Sequence, residues 1–220
     1  NISIQIGLAM NKIKTCLVVG NGPSLADVGN DILYRFDTFG CNQCQAKFDP
    51  TYYVYVDPAM IKRPKRRLID DINAMTSQKY ILKDFAYRIS ESIPLTIIHK
   101  QGFSFDPLKN VYAYFSVSTV MLQLAYSMGY RQIGLVGMDH HWHTPRGARE
   151  WHYIDEDDNH YCKDYYVGVI DAWRAPRIDL LNNWHEMAKG IFDANDCEVV
   201  NLTPGSALKV YPFGNLEDWI

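Results

Sequence analysis

The chain has 220 residues, which is long enough for one well-buried domain. Its hydrophobic content of 47% and charged content of 21% are those of an ordinary soluble globular protein. A formal net charge of −3 and the lack of any apolar stretch near the roughly 18 residues that span a bilayer argue against a nucleic acid or a membrane as partner.

The first predicted element is a strand that ends in a glycine turn. Residues 17–19 form a continuous apolar run, which predicts a strand buried on both faces. Gly20 and Gly22 allow a sharp turn, and Ser24 is placed to cap a helix that follows. The N–H groups and dipole at such a helix start suit a phosphate or nucleotide. The spacing matches neither the dinucleotide fingerprint nor the Walker loop.

Two more strands are predicted to end in polar side chains. Residues 37–43 carry Asn42 near their end, and the β-forming residues 52–56 stop at Asp57. An amphipathic helix is then predicted over 65–75, followed by strands over 79–82 and 95–98.

The second half continues the alternation of helices and strands. Residues 116–119 are predicted to cap an apolar helix over 119–128, and a strand over 131–137 leads into Asp139. The polar, aromatic stretch from about 140 to 175 lacks periodicity and is predicted to be a lid or insertion. A helix over 177–194 and a strand over 197–201 follow.

This alternation predicts one Rossmann-like α/β domain over 1–220, with a mostly parallel sheet and helices on both faces. Ligands of such sheets bind outside the carboxyl ends of the strands. The helix start at 116–119 is expected to open toward the same edge. The polar side chains expected along this edge are Asn21, Asn42, Asp57, Asp139 and Asn201.

The cysteines indicate a reducing compartment. There are five, an odd number, and Cys16, Cys41 and Cys197 lie in apolar runs where a buried thiol is expected. Cys41 and Cys44 form one C-x-x-C pair without the second pair of a zinc ribbon. The pattern favours a cytoplasmic protein with reduced thiols.

Metal and hydrolase chemistry are not predicted. Adjacent histidines such as His140 and His141 point in different directions along an extended segment, and no H-E-x-x-H motif occurs. The acidic run 155–158 lacks the glycine of an EF-hand loop and is predicted to be a solvated loop. No G-x-S-x-G elbow is present.

His160 lies among tyrosines in the predicted lid. Histidine is the usual general base near neutral pH, and the hydroxyls of Tyr161 and Tyr165 could bind a leaving phosphate without adding charge. The alternative is that these aromatic residues only pack the lid on the sheet.

Several of these motifs together resemble the bacterial CMP-sialic-acid-dependent sialyltransferases. The resemblance rests on the G-N-G-P-S-L loop at 20–25, C-N-Q at 41–43 and the strand end at 57–58. It continues through the helix and turn at 118–139 and the H-Y pair at 160–161. The loop and the G-M-D turn are also similar to a wider group that includes Maf-type flagellin glycosyltransferases and archaeal 6-hydroxymethylpterin pyrophosphokinases.

The resemblance implies roles for individual residues. Asn21 and Asn42 would contact the cytidine ribose and phosphate, and Asp57 would take the place of a third asparagine. Ser118 would bind near the donor phosphate or sugar carboxylate. The family needs no metal cofactor and uses tyrosines to assist the departing CMP and a histidine as base. The expected donor-binding set is Gly20, Asn21, Gly22, Ser24, Asn42, Asp57, Ser118, Thr119, Gly137 and Asp139.

The chain departs from the family pattern at three positions. Phe115 stands where an arginine is expected, His141 where a phosphate-binding tyrosine is expected, and Asp164 where the catalytic histidine is expected. His141 could replace the tyrosine, with His160 or Asp164 as base. The expected catalytic set is His160, Asp164, His141, Tyr161 and Tyr165.

The function expected from these features is transfer of a sialic-acid-like sugar from a CMP-activated donor to a glycan or protein acceptor. Two alternatives stay open. One is a pterin pyrophosphokinase, which uses ATP and Mg²⁺ and for which Asp57 and Asp139 are available carboxylates. The other is a nucleotide-binding module that has lost its catalytic groups. A homo-oligomer is compatible with the sequence.

Overall fold

The computed structural model describes residues 13–57, 68–143, 157–165 and 176–220, and the backbone alone at 66–67, 152–153 and 172–173. The strands are β1 (Lys14–Val19), β2 (Asp37–Cys41), β3 (Tyr52–Tyr55), β4 (Gln78–Leu82), β5 (Ser92–Leu95), β6 (Ile97–Ile98), β7 (Val111–Tyr112), β8 (Tyr130–Val136), β9 (His152–Tyr153), β10 (Ala172–Trp173) and β11 (Glu198–Asn201). The α-helices are α1 (Asn30–Leu33), α2 (Arg66–Ala74), α3 (Lys83–Ala86), α4 (Val117–Ser127) and α5 (Ile178–Asp193).

Seven of these strands form one sheet in the order β11-β8-β1-β2-β3-β4-β5. Every neighbouring pair in it is parallel. The predicted Rossmann-like α/β fold is therefore confirmed. Two-stranded pairs, β6–β7 and the antiparallel β9–β10, lie outside this sheet.

The chain changes direction across the sheet at β1. From β1 it adds β2 to β5 on one side, and it then returns to place β8 and β11 on the other side. Such a switch point opens a crevice at the carboxyl ends of the two central strands, here β1 and β8. The crevice lies between the loop after Val19 and the loop after Val136.

Both faces of the sheet are covered by apolar side chains. In β1, Cys16 and Val18 belong to the core that contains Leu124 of α4 and Trp184 of α5. The alternate residues Leu17 and Val19 belong to a second core on the opposite face. This explains the continuous apolar run, because a strand covered on both faces has no solvent-facing positions.

The predicted helix after the glycine turn is wrong in type and in its cap. Pro23–Asp27 form a short 3-10 helix whose N-cap is Gly22, and the side chain of Ser24 does not cap it. The 3-10 helix ends at Asp27 and the α1 that follows has four residues, so there is no long helix here. The single strand predicted over 95–98 is also wrong, since Leu95 ends β5 in the main sheet and Ile97 begins β6 in a separate pair.

Most of the predicted lid lies outside the described residues. The described segment 157–165 is held against the carboxyl edge of the sheet by hydrogen bonds. The Tyr161 N–H donates to the Asn21 carbonyl at 3.0 Å, and its hydroxyl donates to the Gln43 carbonyl at 2.8 Å. The Gln43 amide donates to the Tyr165 carbonyl.

Across the described segments, no helix has both the length and the apolar character needed to cross a bilayer.

Candidate functional site

A cavity of about 440 Å³ lies at the carboxyl edge of the sheet, beside the switch point. Eleven of the fifteen predicted site residues line it: Gly20, Asn21, Gly22, Asn42, Asp57, Ser118, Gly137, Asp139, His141, His160 and Tyr165. The other four do not: Ser24, Thr119, Tyr161 and Asp164. Thr119 is fully buried in α4, and Asp164 is exposed.

The glycine loop packs tightly on the turn after β8. The N–H groups of Gly20 and Gly22 donate to the carbonyls of Val136 and Gly137 at 2.8 and 2.9 Å. A Cβ atom at Gly20 would lie 2.5 Å from the Gly137 carbonyl oxygen, which only glycine avoids.

Asp139 occupies the position that the sequence suggested for a phosphate. Its Oδ1 accepts a hydrogen bond from the Ser24 N–H at 3.1 Å, and its Oδ2 accepts one from the Ser24 Oγ at 2.8 Å. The expectation that this helix start offers its N–H groups to a ligand is wrong at Ser24, because a carboxylate of the protein already accepts that N–H.

Asn21 places an unpaired acceptor at the cavity. Only 8% of the residue is exposed, and its Nδ2 donates to the Cys41 carbonyl at 3.0 Å. Its Oδ1 is buried and has no hydrogen-bond partner among the described residues. The Asn42 Oδ1 is also buried and without a hydrogen-bond partner among the described residues. Buried acceptors of this kind cost free energy unless a ligand or water donates to them.

The second helix start at the cavity belongs to α4. Ser116 caps this helix, since its Oγ accepts a hydrogen bond from the Ser118 N–H at 3.2 Å. The two serine hydroxyls lie 2.8 Å apart, and both residues line the cavity with Val117. An eleven-residue helix carries a positive dipole end that favours an anion here.

The described lining contains no lysine or arginine. Its basic residues are His99, His140, His141, His160 and His185. Burial lowers the pKa of His140, and burial together with the nearby His140 lowers the pKa of His185 to about 3. These two rings are therefore neutral at pH 7 and add no positive charge to the described part of the lining.

Asp157 and His160 form a buried pair, and the residue that follows them, Tyr161, is hydrogen-bonded to Asn21 of the glycine loop. The His160 Nδ1 lies 2.7 Å from the Asp157 Oδ2, and the two side chains are 8% and 1% exposed. The Asn159 N–H donates to the other Asp157 oxygen at 2.9 Å. The prediction that the acidic run is a solvated loop is therefore wrong at Asp157.

Aromatic rings fix the plane of the His160 ring. The Tyr165 ring stacks on it with centroids 3.9 Å apart and planes 6° apart. The Trp142 ring meets it edge-on at 5.5 Å. The predicted packing of these aromatic residues therefore occurs at His160, and the role of His160 as general base stays a prediction.

Three cavity residues have a left-handed backbone that non-glycine residues rarely adopt. The φ angles are 52° at Asn42, 59° at Phe115 and 54° at His140. Such conformations cost about 1–3 kcal/mol each and concentrate at binding sites.

Two other predictions have plain outcomes. Asn201 is fully buried and makes structural bonds, donating to the Leu208 carbonyl and accepting from the Thr203 N–H, so it does not face the cavity. The buried cysteines are confirmed, and burial raises the pKa of the cavity residue Cys41 to about 12, so its thiol stays protonated.

Within the described residues, no group of three potential ligands could hold a metal ion.

Sequence reasoning missed Asp157 as a site residue. The spacing Asp157-x-x-His160 indicates such a pair, because a carboxylate three residues before a histidine can reach its imidazole ring. It was hidden by the neighbouring acidic residues, of which Asp158 is exposed.

The fold is similar to that of two Campylobacter jejuni sialyltransferases. The monofunctional alpha-2,3-sialyltransferase Cst-I matches with a TM-score of 0.51 at 13% identity, covering 94% of this chain and 82% of that one. The sialyltransferase CstII, in complex with the substrate analogue cytidine-5'-monophosphate, matches with a TM-score of 0.52 at 14% identity, covering 92% and 86%. No protein-family model and no curated protein sequence matches the chain. The likeness shows that this chain has a sialyltransferase-like fold.

Proposed function

We propose that this protein is a glycosyltransferase that moves a sialic-acid-like sugar from a CMP-activated donor to a glycan or protein acceptor. The observation that carries the proposal is a cavity lined both by Asn21, whose buried Oδ1 has no hydrogen-bond partner among the described residues, and by His160, which is paired with Asp157. The CMP complex of one structural neighbour and the motif resemblance support the choice of nucleotide.

In this proposal the nucleotide lies along the carboxyl ends of β1, β2 and β3. The Oδ1 atoms of Asn21 and Asn42 accept hydrogen bonds from ribose hydroxyls, which supply donors to two buried acceptors that have no partner among the described residues. The phosphate lies at the start of α4, near the Ser118 hydroxyl and the positive end of the helix.

The reaction is a displacement at the anomeric carbon. His160 takes the proton of the acceptor hydroxyl as that oxygen forms the new bond to the anomeric carbon. The bond between the anomeric carbon and the phosphate oxygen breaks, and its electron pair leaves with CMP. His141 and the Tyr165 hydroxyl donate to the leaving phosphate.

The pyrophosphokinase alternative fits the described residues less well. It needs carboxylates for Mg²⁺, and both oxygens of Asp139 already accept hydrogen bonds from Ser24. Asp57 is the other carboxylate in the described lining.

Calorimetry with CMP and with ATP·Mg²⁺ separates the candidates. Binding of CMP without metal, together with hydrolysis of a CMP-sugar, supports the transferase. Binding of ATP only in the presence of Mg²⁺ overturns it. Binding of CMP without turnover of any CMP-sugar identifies a silent module.

A pair of variants then separates the two candidate bases. His160→Ala should abolish transfer while CMP affinity stays nearly unchanged, because a base for the acceptor hydroxyl does not hold the nucleotide. Asp164→Ala should keep transfer, because Asp164 is exposed and does not line the cavity. A large loss of CMP affinity in His160→Ala would make His160 a ligand and contradict its role as base.

A further inference from the structure

Asp157 has contacts that a solvated loop residue would lack. Its side chain is 1% exposed, although the chain places it between acidic neighbours. Its Oδ2 faces the His160 Nδ1 at 2.7 Å, and its Oδ1 accepts the Asn159 N–H at 2.9 Å. Both carboxylate oxygens therefore have a defined partner, so neither the carboxylate nor the imidazole can turn without breaking a hydrogen bond.

We propose that Asp157 is a positioning residue that fixes the tautomer of His160, with the proton on Nδ1 and with Nε2 as the proton acceptor. A carboxylate can only accept, so the nitrogen that faces it must donate. In a neutral imidazole the other nitrogen then carries the lone pair. The inference rests on the proposed function only where it says that Nε2 takes the proton of an acceptor hydroxyl.

The rings around His160 reinforce the same orientation. Tyr165 stacks on one face at 3.9 Å, and Trp142 packs edge-on at 5.5 Å. Stacking by Tyr165 fixes the plane of the His160 ring, and the hydrogen bond to Asp157 fixes its rotation within that plane. The ring therefore needs no rearrangement before proton transfer, which lowers the entropic part of the barrier. Among the described groups packed on His160, Asp157 is the carboxylate and Tyr165 the phenol, and Trp142 carries no titratable group.

The arrangement predicts an inverted tautomer in Asp157→Asn. The Asn159 N–H requires an oxygen, so the amide oxygen of the new side chain must take the place of Oδ1. The amide NH₂ then takes the place of Oδ2 and donates to the His160 Nδ1. The ring proton moves to Nε2, and the nitrogen that should accept a proton becomes a donor.

Long-range ¹H–¹⁵N NMR of the full chain tests this without any substrate. The His160 signals are assigned by their loss in His160→Gln, at a pH where the ring is neutral. In the wild-type protein Nδ1 should give the shift of a protonated nitrogen and Nε2 that of an unprotonated one. In Asp157→Asn the two shifts should exchange. Asp158→Asn, which removes the exposed neighbouring carboxylate, should keep the wild-type pattern.

Kinetics give an independent readout. Asp157→Asn should lower kcat for transfer by about 10- to 100-fold, since a positioned general base supplies roughly 10²–10⁴-fold in rate. KM for the donor and the affinity for CMP should stay within about twofold, because Asp157 does not hold the nucleotide.

The NMR experiment tests the positioning role of Asp157, and the transfer assay tests the proposed function, so the two can fail independently. A proton on Nε2 in the wild-type protein overturns the inference, even if Asp157→Asn does not fold. An unchanged tautomer in a folded Asp157→Asn variant also overturns it. If the wild-type protein has the proton on Nδ1, the shifts exchange in Asp157→Asn and the wild-type protein transfers no sugar, the positioning role is supported and the proposed function is contradicted.

Discussion

The carboxylate of Asp139 caps the start of the 3-10 helix by accepting hydrogen bonds from both the N–H and the Oγ of Ser24. Together with the bonds of Gly20 and Gly22 to the turn after β8, this commits the N–H groups of Gly20, Gly22 and Ser24 to the protein itself. The loop therefore joins β1 to β8 and presents the side chain of Asn21 to the cavity. The start of α4 also lies at the cavity, and its positive dipole end favours an anion there.

Asp139→Asn should reduce stability. The substitution keeps the shape of the side chain but removes its charge, and charge-assisted bonds are about twice as strong as neutral ones. The amide oxygen still accepts from the Ser24 N–H, whereas the amide NH₂ can only donate to the Ser24 Oγ. We expect the free energy of unfolding in urea to fall by about 1 kcal/mol. Asp27→Asn, which removes an exposed carboxylate from the same 3-10 helix, should change it by a few tenths at most. Equal effects of the two substitutions would contradict the capping role.

Asn21 can be tested with a double-mutant cycle between protein and ligand. If its Oδ1 accepts a ribose hydroxyl, Asn21→Ala should weaken CMP binding by about tenfold or more, since a lost hydrogen bond of this kind costs about 1–2 kcal/mol. The deoxy-CMP analogue that lacks the contacted hydroxyl should bind the wild-type protein weakly and the variant no worse than CMP does.

Asn30→Ala is the matched control for this cycle. Like Asn21, Asn30 donates its amide to a backbone carbonyl of another segment, here that of Lys47 at 2.7 Å, but it is exposed and does not line the cavity. Its substitution should leave CMP affinity and the preference for the hydroxyl unchanged. Additive effects of Asn21→Ala and of the deoxy analogue would show that Asn21 does not contact that hydroxyl.

The parts of the fold that sequence predicted well are those set by burial. Each side chain of residues 17–19 belongs to one of two cores, so the strand is buried on both faces. A continuous apolar run in the sequence predicts this kind of strand. Helices α4 and α5 were also found with ends correct to about two residues, since serine capping and apolar spacing are local signals.

The parts that sequence predicted poorly depend on contacts between distant segments. Ser24 has the residue type and position of an N-cap, but its partner is a carboxylate 115 residues away, and no local pattern reveals that. Asp157 was predicted to be solvent-exposed because it lies in an acidic run. Composition cannot show which side chain of such a run is buried. Asn201 has the polar type of a strand-end ligand, but the loop after β11 uses both ends of its amide.

His185 should make the protein sensitive to acid. Its pKa is lowered from 6.5 to about 3 by burial, with a smaller effect of the nearby His140. Between these two pH values the unfolded chain binds a proton here and the folded chain does not, so stability falls as the pH falls through this window. His185→Gln removes this linkage. The loss in unfolding free energy between pH 7 and pH 5 should therefore be smaller in the variant by about 1–2 kcal/mol, measured in urea.

His99→Gln is the control for this pH effect, because His99 is exposed. It should show the same loss between pH 7 and pH 5 as the wild-type protein. A loss in His185→Gln as large as that of the wild type would show that His185 becomes protonated in the folded state near its ordinary pKa.

Phe115 lies at a part of the cavity where the described lining has no lysine or arginine. It lines the cavity directly before the Ser116 cap of α4, is 50% exposed and has a φ of 59°. The family pattern has an arginine here, and the described lining contains neither lysine nor arginine. An arginine would bear the same backbone strain as phenylalanine, so the substitution adds a charge without a new conformational cost.

Phe115→Arg should therefore bind CMP more tightly than the wild-type protein. A half-exposed guanidinium near the phosphate is expected to contribute about 1 kcal/mol, or roughly fivefold in affinity by calorimetry. The gain should shrink as salt is raised, because exposed charges are screened. Phe105→Arg adds the same charge at an exposed phenylalanine outside the lining and should give no gain. Equal affinities of Phe115→Arg and Phe105→Arg at low salt would show that the phosphate does not lie at the start of α4.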